Sequence, residues 1–166
     1  IFLFTKFGQC IRFKETDVRV TGRTTMGVIG MNLAPDDLII AMQTASMGES
    51  VLLVSSQGLG KCTLIDEFTT QNRGGKGVKT LNITDKNGTL VSLKTVDNDK
   101  DLMIITDNGM IIRLSVDKIS TMSRVTQGVR LINLKDDQSV SSTAIIQKNE
   151  EDENTTDNHG FLLLHH

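Results

Sequence analysis

The stretch RTTMGVIGMNL at residues 23–33 returns as RGGKGVKTLNI at 73–83 and again as RVTQGVRLINL at 124–134. An Arg, a Gly-Val pair four residues on, and a final apolar-Asn-apolar triplet recur at spacings of 50 and 51 residues. Upstream, Gly8, Gly58 and Gly109 fall on the same register, as do the apolar Val18, Phe68 and Ile119, each five positions before its Arg. Self-similarity at this period marks a repeat architecture, in which one unit buries its apolar face against its neighbours.

Each unit reads as four short strands. In the first, IFLFT and QCIRF flank a Lys-Phe-Gly turn; a strand near 28–33, an Ala-Pro-Asp-Asp turn and LIIAMQ follow. The second repeats this with VLLVS, a turn at Gln57-Gly58, GKCTLI, VKTLNIT, an Asn87-Gly88 turn and TLVSLKTV. The third gives LMIIT, Asp107-Asn108-Gly109, MIIRL, VRLINL and a last strand near 140–146. Dense turn signals between β-branched runs too short for helices predict an all-β fold. Helical structure is expected only as short turns such as Val116 to Ile119. Three units of about 1–50, 51–101 and 102–147 fit an arc of propeller-like blades, and equally a β-trefoil binding carbohydrate or protein.

Composition narrows the function. No apolar run approaches membrane-spanning length, and no charged-then-apolar leader is present, so a soluble cytoplasmic protein without a membrane partner is expected. Opening on Ile1 in mid-pattern is what a piece of a longer chain would show. Cys10 and Cys62 sit inside apolar runs with no metal spacing, and read as reduced, buried thiols. The net charge of -2 hides an asymmetry: residues 150–157, EEDENTTD, carry five acids and no base, leaving 18 basic residues against 15 acidic in the rest. A basic body with an acidic tail points to a polyanion partner and an internal competitor for it; charge alone fits a solvated, disordered tail over 148–158 equally well. The ending at 159–166, with GFLLLHH, reads as a vector or tag remnant.

No catalytic constellation emerges. A phosphate-binding loop needs Gly-x-x-x-x-Gly-Lys-Ser/Thr. SSQGLGKCT has Ser55 at the first position and Cys62 at the last, and QNRGGKGVKT has Thr70 and Gly77 there. Acid pairs such as Asp36-Asp37 lie at turns, where Asp satisfies the local backbone. With Tyr absent and all three His at 159, 165 and 166, general acid–base chemistry has few candidates, and no cofactor or metal is expected in this chain.

The cations, by contrast, are periodic. The first unit carries Arg12, Lys14, Arg19 and Arg23, the second Lys61, Arg73, Lys76 and Lys79, the third Arg113, Lys118, Arg124 and Arg130. In a ring of blades such positions lie on one rim, which suits a curved phosphate backbone, with Gly74 and Gly75 allowing close approach. The alternative of equal weight is that the repeated Arg braces one blade against the next and the repeated Gly supplies a positive φ.

The runs GRTTMGVIGMNL, QNRGGKGVKTLNIT and SRVTQGVRLINL, with MIITDNGMIIRLSVDKIS, resemble the C-terminal domain of the DNA gyrase A subunit over residues 1–147. That resemblance implies the last three blades of a six-bladed β-pinwheel, a propeller relative with exchanged strands whose rim wraps duplex DNA without sequence preference. It also implies partners in gyrase B and in the remainder of the gyrase A subunit, a nucleoid-associated location, and negative supercoiling driven by ATP and Mg²⁺ used elsewhere in the assembly. The piece itself would carry no active site. Gln71 to Gly77 matches the family's heptapeptide box, Q-R-R-G-G-K-G, at six of seven positions, with Asn72 for Arg, but in the middle unit rather than the first blade. The equivalent domain of topoisomerase IV carries related blades without an intact box and remains an alternative. An arc short of a closed ring also exposes blade edges, so edge-to-edge self-association is expected.

Overall fold

The computed structural model describes residues 1–148. The tail and remnant expected beyond Lys148 lie outside them. Eleven strands occur among the described residues: β1 Phe2–Thr5, β2 Gln9–Arg12, β3 Ile39–Gln43, β4 Ser50–Ser55, β5 Leu59–Leu64, β6 Val78–Lys79, β7 Leu90–Val96, β8 Lys100–Thr106, β9 Ile111–Ser115, β10 Val129–Arg130 and β11 Val140–Gln147. The helical content is a set of three-residue 3₁₀ turns, among them Val116–Lys118. No helix among the described residues is long and apolar enough to cross a membrane.

The strands form three antiparallel sheets in the orders β3-β1-β2-β6, β10-β5-β4-β7 and β11-β8-β9. Each unit is therefore built from two long hairpin strands and a third that returns beside the first, while its short remaining strand leaves for the preceding sheet. β6 of the second unit pairs with β2 of the first (Cys10↔Val78, Gln9↔Lys79), and β10 of the third pairs with β5 of the second (Gly60↔Val129, Leu59↔Arg130). The all-β arc of blades with exchanged strands is thus what the chain adopts. Two sequence expectations are corrected. Residues 28–33 form no strand, because by this rule their partner would be the second strand of a unit before the first. Among the described residues the third sheet has three strands, where each of the other two takes its fourth from the unit that follows.

The hairpins follow from local chemistry. Gly8, Gly58 and Gly109 each have φ near +83°, a conformation that glycine adopts without strain. Their N–H groups donate to the carbonyls of Thr5, Ser55 and Thr106. The hydroxyls of those same residues accept the N–H groups of Gln9, Leu59 and Met110. A Thr/Ser-x-x-Gly signature thus closes every hairpin, and the hydroxyl half of it went unused among the sequence expectations.

The sheets stack face to face, and β4 shows why. Val51 and Leu53 point into one core with Phe2, Phe4, Phe68, Leu81 and Leu93. Leu52 and Val54 point into a second with Leu102, Ile104, Ile119, Ile132 and Val140. The period-two alternation thus feeds both faces of the middle sheet, and all four side chains are buried. Phe2 and Phe4 stack with centroids 5.6 Å apart, and Phe68 meets both edge-on, a favoured aromatic geometry. Phe68 and Ile119 are 1% and 6% exposed because each packs on the unit before it; Val18, at the same register with no unit before it, is 39% exposed.

The glycines report the same asymmetry. A Cβ on Gly8 would lie 2.8 Å from Leu81 O, and one on Gly58 2.9 Å from Ile132 O, whereas at Gly109 nothing lies within 4 Å. Replacing Gly8 or Gly109 with Ala forces the same left-handed conformation, which costs about 1–2 kcal/mol. Only Gly8→Ala adds an overlap with the next unit's backbone, worth about 1–3 kcal/mol more. We therefore predict a clearly larger drop in the denaturation midpoint for Gly8→Ala than for Gly109→Ala; equal losses would mean the exchanged strand is not seated there.

Candidate nucleic-acid interface

The periodic cations divide into two classes. Arg73 donates from Nη1 to Ile29 O at 2.8 Å and from Nε to Asp17 O at 3.3 Å. One repeat later Arg124 donates from Nη1 to Lys79 O at 2.6 Å, and its backbone N–H donates to Glu67 Oε1. Ile29 and Lys79 occupy the same register, as do Asp17 and Glu67, so both arginines tie their unit to the one before. Arg23 has no preceding unit in the chain and is exposed. Arg12 reaches the other way: its guanidinium lies 5.2 Å from the Phe2 ring centroid and donates to Phe68 O and Ile65 O of the second unit. Arg113, at the register of Arg12, forms a 2.7 Å ion pair with Asp101 across the β8–β9 ladder.

Lys61 is a correction to the rim. It is 0% exposed, and its ammonium donates to Ser123 O, Arg124 O, Thr126 O and Thr126 Oγ1 at 2.8–3.1 Å. It stands on β5 where the other units have Ile11 and Ile112, so its stem points between units and its head caps the carbonyls of the next unit's turn. Burial pulls its pKa from 10.5 down to about 8; Glu67 opposes that shift and Arg124 adds to it. The two thiols are also internal. Burial raises Cys10 strongly and pushes Cys62 up to about 11, so both stay protonated near neutrality.

The loop Gln71–Gly77 is a joint between the first two units. Gln71 N–H donates to Arg12 O, Gly74 N–H donates to Gly30 O, and Gly75 O accepts Asn32 N–H. Gly77, with φ +79°, lies so close that a Cβ would sit 2.2 Å from Cys10 O; Gly128 repeats this at 2.7 Å from Gly60 O. Gly74 thus spends its N–H on the neighbouring unit. Gly74 is half-buried, and Gly75 and Lys76 are exposed. Lys76 also borders a cleft of about 420 Å³ with Gln9, Asn32 and Pro35.

The other exposed cations are Lys14 and Arg19 after β2, Lys79 on β6, Lys118 in the 3₁₀ turn and Arg130 on β10. Lys79 and Arg130 occupy the same register on the outermost strand of successive sheets. In the first unit the registers of Lys76 and Lys79 hold Met26 and Ile29, 85% and 69% exposed, so its cations sit elsewhere.

A family profile described as the DNA gyrase C-terminal domain, beta-propeller, matches residues 1–46, 49–97 and 100–147, one match per unit. The chain belongs to this family. It is 44% identical over 150 residues to the DNA gyrase A subunit of Ureaplasma parvum serovar 3, and 43% identical over 159 residues to that of Staphylococcus aureus. These alignments cover 90% and 95% of the chain but 18% of each relative, so the chain spans under a fifth of their length. A solved gyrase A C-terminal domain superposes with a TM-score of 0.80 at 26% identity, over 87% of the chain and 50% of that structure. The C-terminal domain of a topoisomerase IV gives 0.81 at 24% identity, over 99% and 51%, a likeness of fold.

Within this gyrase-family arc, Lys61 should act on stability. Lys61→Met removes the ammonium shared by three carbonyls and a hydroxyl; Ser123 O keeps its bonds from Thr126 and Thr126 O that from Asn82 N–H, while Arg124 O loses its donor, and we predict a loss of about 1–3 kcal/mol at pH 7. The pH dependence carries the sign. Between about 8 and 10.5 the unfolded chain still holds the Lys61 proton while the folded chain has released it. Stability therefore rises with pH in that window. Denaturant melts at pH 7.5 and 10 should show wild type gaining on Lys61→Met; parallel behaviour of the two would remove this assignment.

Proposed function

We propose that the chain is a DNA-wrapping module of a gyrase A subunit, binding duplex DNA without sequence preference along the exposed cations of its arc. The observation that carries this reading is the recurrence of Lys79 and Arg130 at one register on successive outermost strands, in a chain whose family is the gyrase C-terminal domain. Cations fixed at blade spacing offer a curved duplex repeated phosphate contacts. Lys14, Arg19, Arg23, Lys76 and Lys118 extend the exposed set, and Gly75 supports close approach beside Lys76. Arg12, Arg73, Arg113 and Arg124 are engaged by protein oxygens and serve first to hold the surface in shape. Lys61 is internal and takes no part in the contact.

On this reading the chain holds no active site and acts within an ATP-driven type II topoisomerase in the bacterial cytoplasm, beside gyrase B and the rest of the gyrase A polypeptide. Identity of 43–44% to gyrase A subunits favours gyrase over topoisomerase IV.

The test is a salt titration of duplex binding, by fluorescence anisotropy, for the chain and for the full-length polypeptide that contains it. Log affinity should fall linearly with log salt, by about 0.9 per phosphate neutralised. Lys79→Gln and Arg130→Gln should each flatten that slope by about 0.9 and weaken binding alike on unrelated sequences. Arg124→Gln should chiefly lower thermal stability. Binding that ignores salt, or a Lys79→Gln/Arg130→Gln double variant that binds like wild type, would sink the proposal.

A further inference from the structure

We propose that Met26 and Ile29 form an apolar wedge, which the first unit presses between base steps of the duplex. The inference rests on the DNA-binding reading above and adds to it a contact that charge does not supply. Aligned by repeat, Met26 stands where the second and third units have Lys76 and Gln127, and Ile29 where they have Lys79 and Arg130. Both are among the most exposed large apolar side chains of the described residues, at 85% and 69%.

This exposure belongs to the register and not to an open joint. Val18 of the same unit lacks the cover that Phe68 and Ile119 receive from the unit before them. Met26 and Ile29 differ from it. Lys76, Lys79 and Arg130 stay exposed, and Gln127 half-buried, although a preceding unit is seated against the strand that follows or holds each of them. A unit seated before the first would therefore cover Val18 and leave Met26 and Ile29 facing outward. Single apolar groups on a surface are ordinary. Here two of them fall on the two registers that carry cations in the second unit, and the fold uses neither side chain.

The surroundings select the occupant. Arg73 Nη1 donates to Ile29 O, and Gly74 N–H donates to Gly30 O. A Cβ on Gly74 would lie 3.7 Å from Ile29 O. The segment that carries Ile29 is thus pinned to the loop that carries Lys76. Lys14, Arg19 and Arg23 of the same unit are exposed as well. An apolar partner would leave these cations idle. A duplex offers them phosphates, and offers base steps to the two apolar side chains. Isoleucine and methionine are among the residues that enter the minor groove, unstack a step and kink the duplex. A kink made at the first unit suits a duplex that must follow an arc.

The test uses the full-length polypeptide with Met26→Ser and Ile29→Ser together, beside a second pair, Met26→Leu and Ile29→Leu, that keeps the apolar bulk. Both positions are exposed, so the melting temperature should not move. Anisotropy reads binding to a matched duplex and to one with a central mismatch, whose steps unstack at lower cost. Fluorescence energy transfer between the duplex ends reads the bend. Wild type and the leucine pair should favour the mismatched duplex by about fivefold. The serine pair should lose that preference, bind the matched duplex about tenfold more weakly and bend it less, with an unchanged salt slope. A serine pair that binds, bends and discriminates like wild type overturns the wedge and leaves the DNA-binding reading standing. A loss confined to association with another protein subunit also overturns it. Wild-type binding that ignores salt removes the DNA-binding reading itself, and the wedge with it.

Discussion

A two-residue strand laid on the neighbouring unit is the contact on which the rest of this structure depends. Val78–Lys79 and Val129–Arg130 are far too short to be stable alone; they exist because the preceding hairpin offers them an edge. That edge approaches so closely that only glycine fits before each valine, which accounts for Gly77 and Gly128. The same approach carries Phe68 and Ile119 into the preceding core and brings Arg73 and Arg124 within reach of carbonyls there. Where the edge is missing, at the first unit, all four consequences lapse together: no strand at Val28, no positive φ at Gly27, an exposed Val18 and an exposed Arg23. The first unit is an internal control for the cause.

This division explains why the most regular cations are the least available ones. A guanidinium is a planar fork that can satisfy several carbonyls at once, which suits Arg12, Arg73 and Arg124 to joints lined by backbone oxygens. An ammonium on a flexible stem is better suited to a solvated surface that meets phosphate as a point charge, and Lys14, Lys76, Lys79 and Lys118 stand there. Gln71–Gly77 shows both uses within seven residues. Its Arg, first Gly and last Gly hold the joint, and its Lys76 is left exposed beside Gly75.

Much of this was legible in the sequence. The 50-residue period, the hairpin glycines and the alternating β4 run are local signals, and they led to the right elements and fold class. The long-range pairing was not local: nothing within VKTLNIT says that only Val78 and Lys79 will join a ladder, or that the ladder belongs to the unit before. Resemblance to a family with exchanged strands supplied that step. Lys61 was misplaced because it was counted by charge. Aligned by repeat it falls on Ile11 and Ile112, both within the arc, and that register was the available sign that a cation there would be internal. The hairpin hydroxyls of Thr5, Ser55 and Thr106 were also in plain view in the alignment, but short polar residues beside turns are common enough to pass unnoticed.

The two internal joints are made with different chemistry, and this bears on how rigid the arc is. The first is a dry cluster of Phe2, Phe4 and Phe68 under the Arg12 guanidinium. The second sets a buried ammonium among four oxygens of one turn. Aromatic packing tolerates small slides, since dispersion and area burial change little with a fraction of an ångström. A desolvated charge is less tolerant, because its three protons are held by four oxygens and a shift that loses two of them leaves a buried ion short of a partner. The second joint is therefore the stiffer in register, and the angle between the second and third sheets is the better fixed. On the proposed reading Lys79 and Arg130 lie on strands that this angle relates. A buried lysine that touches no phosphate would then still set the spacing at which phosphates are met.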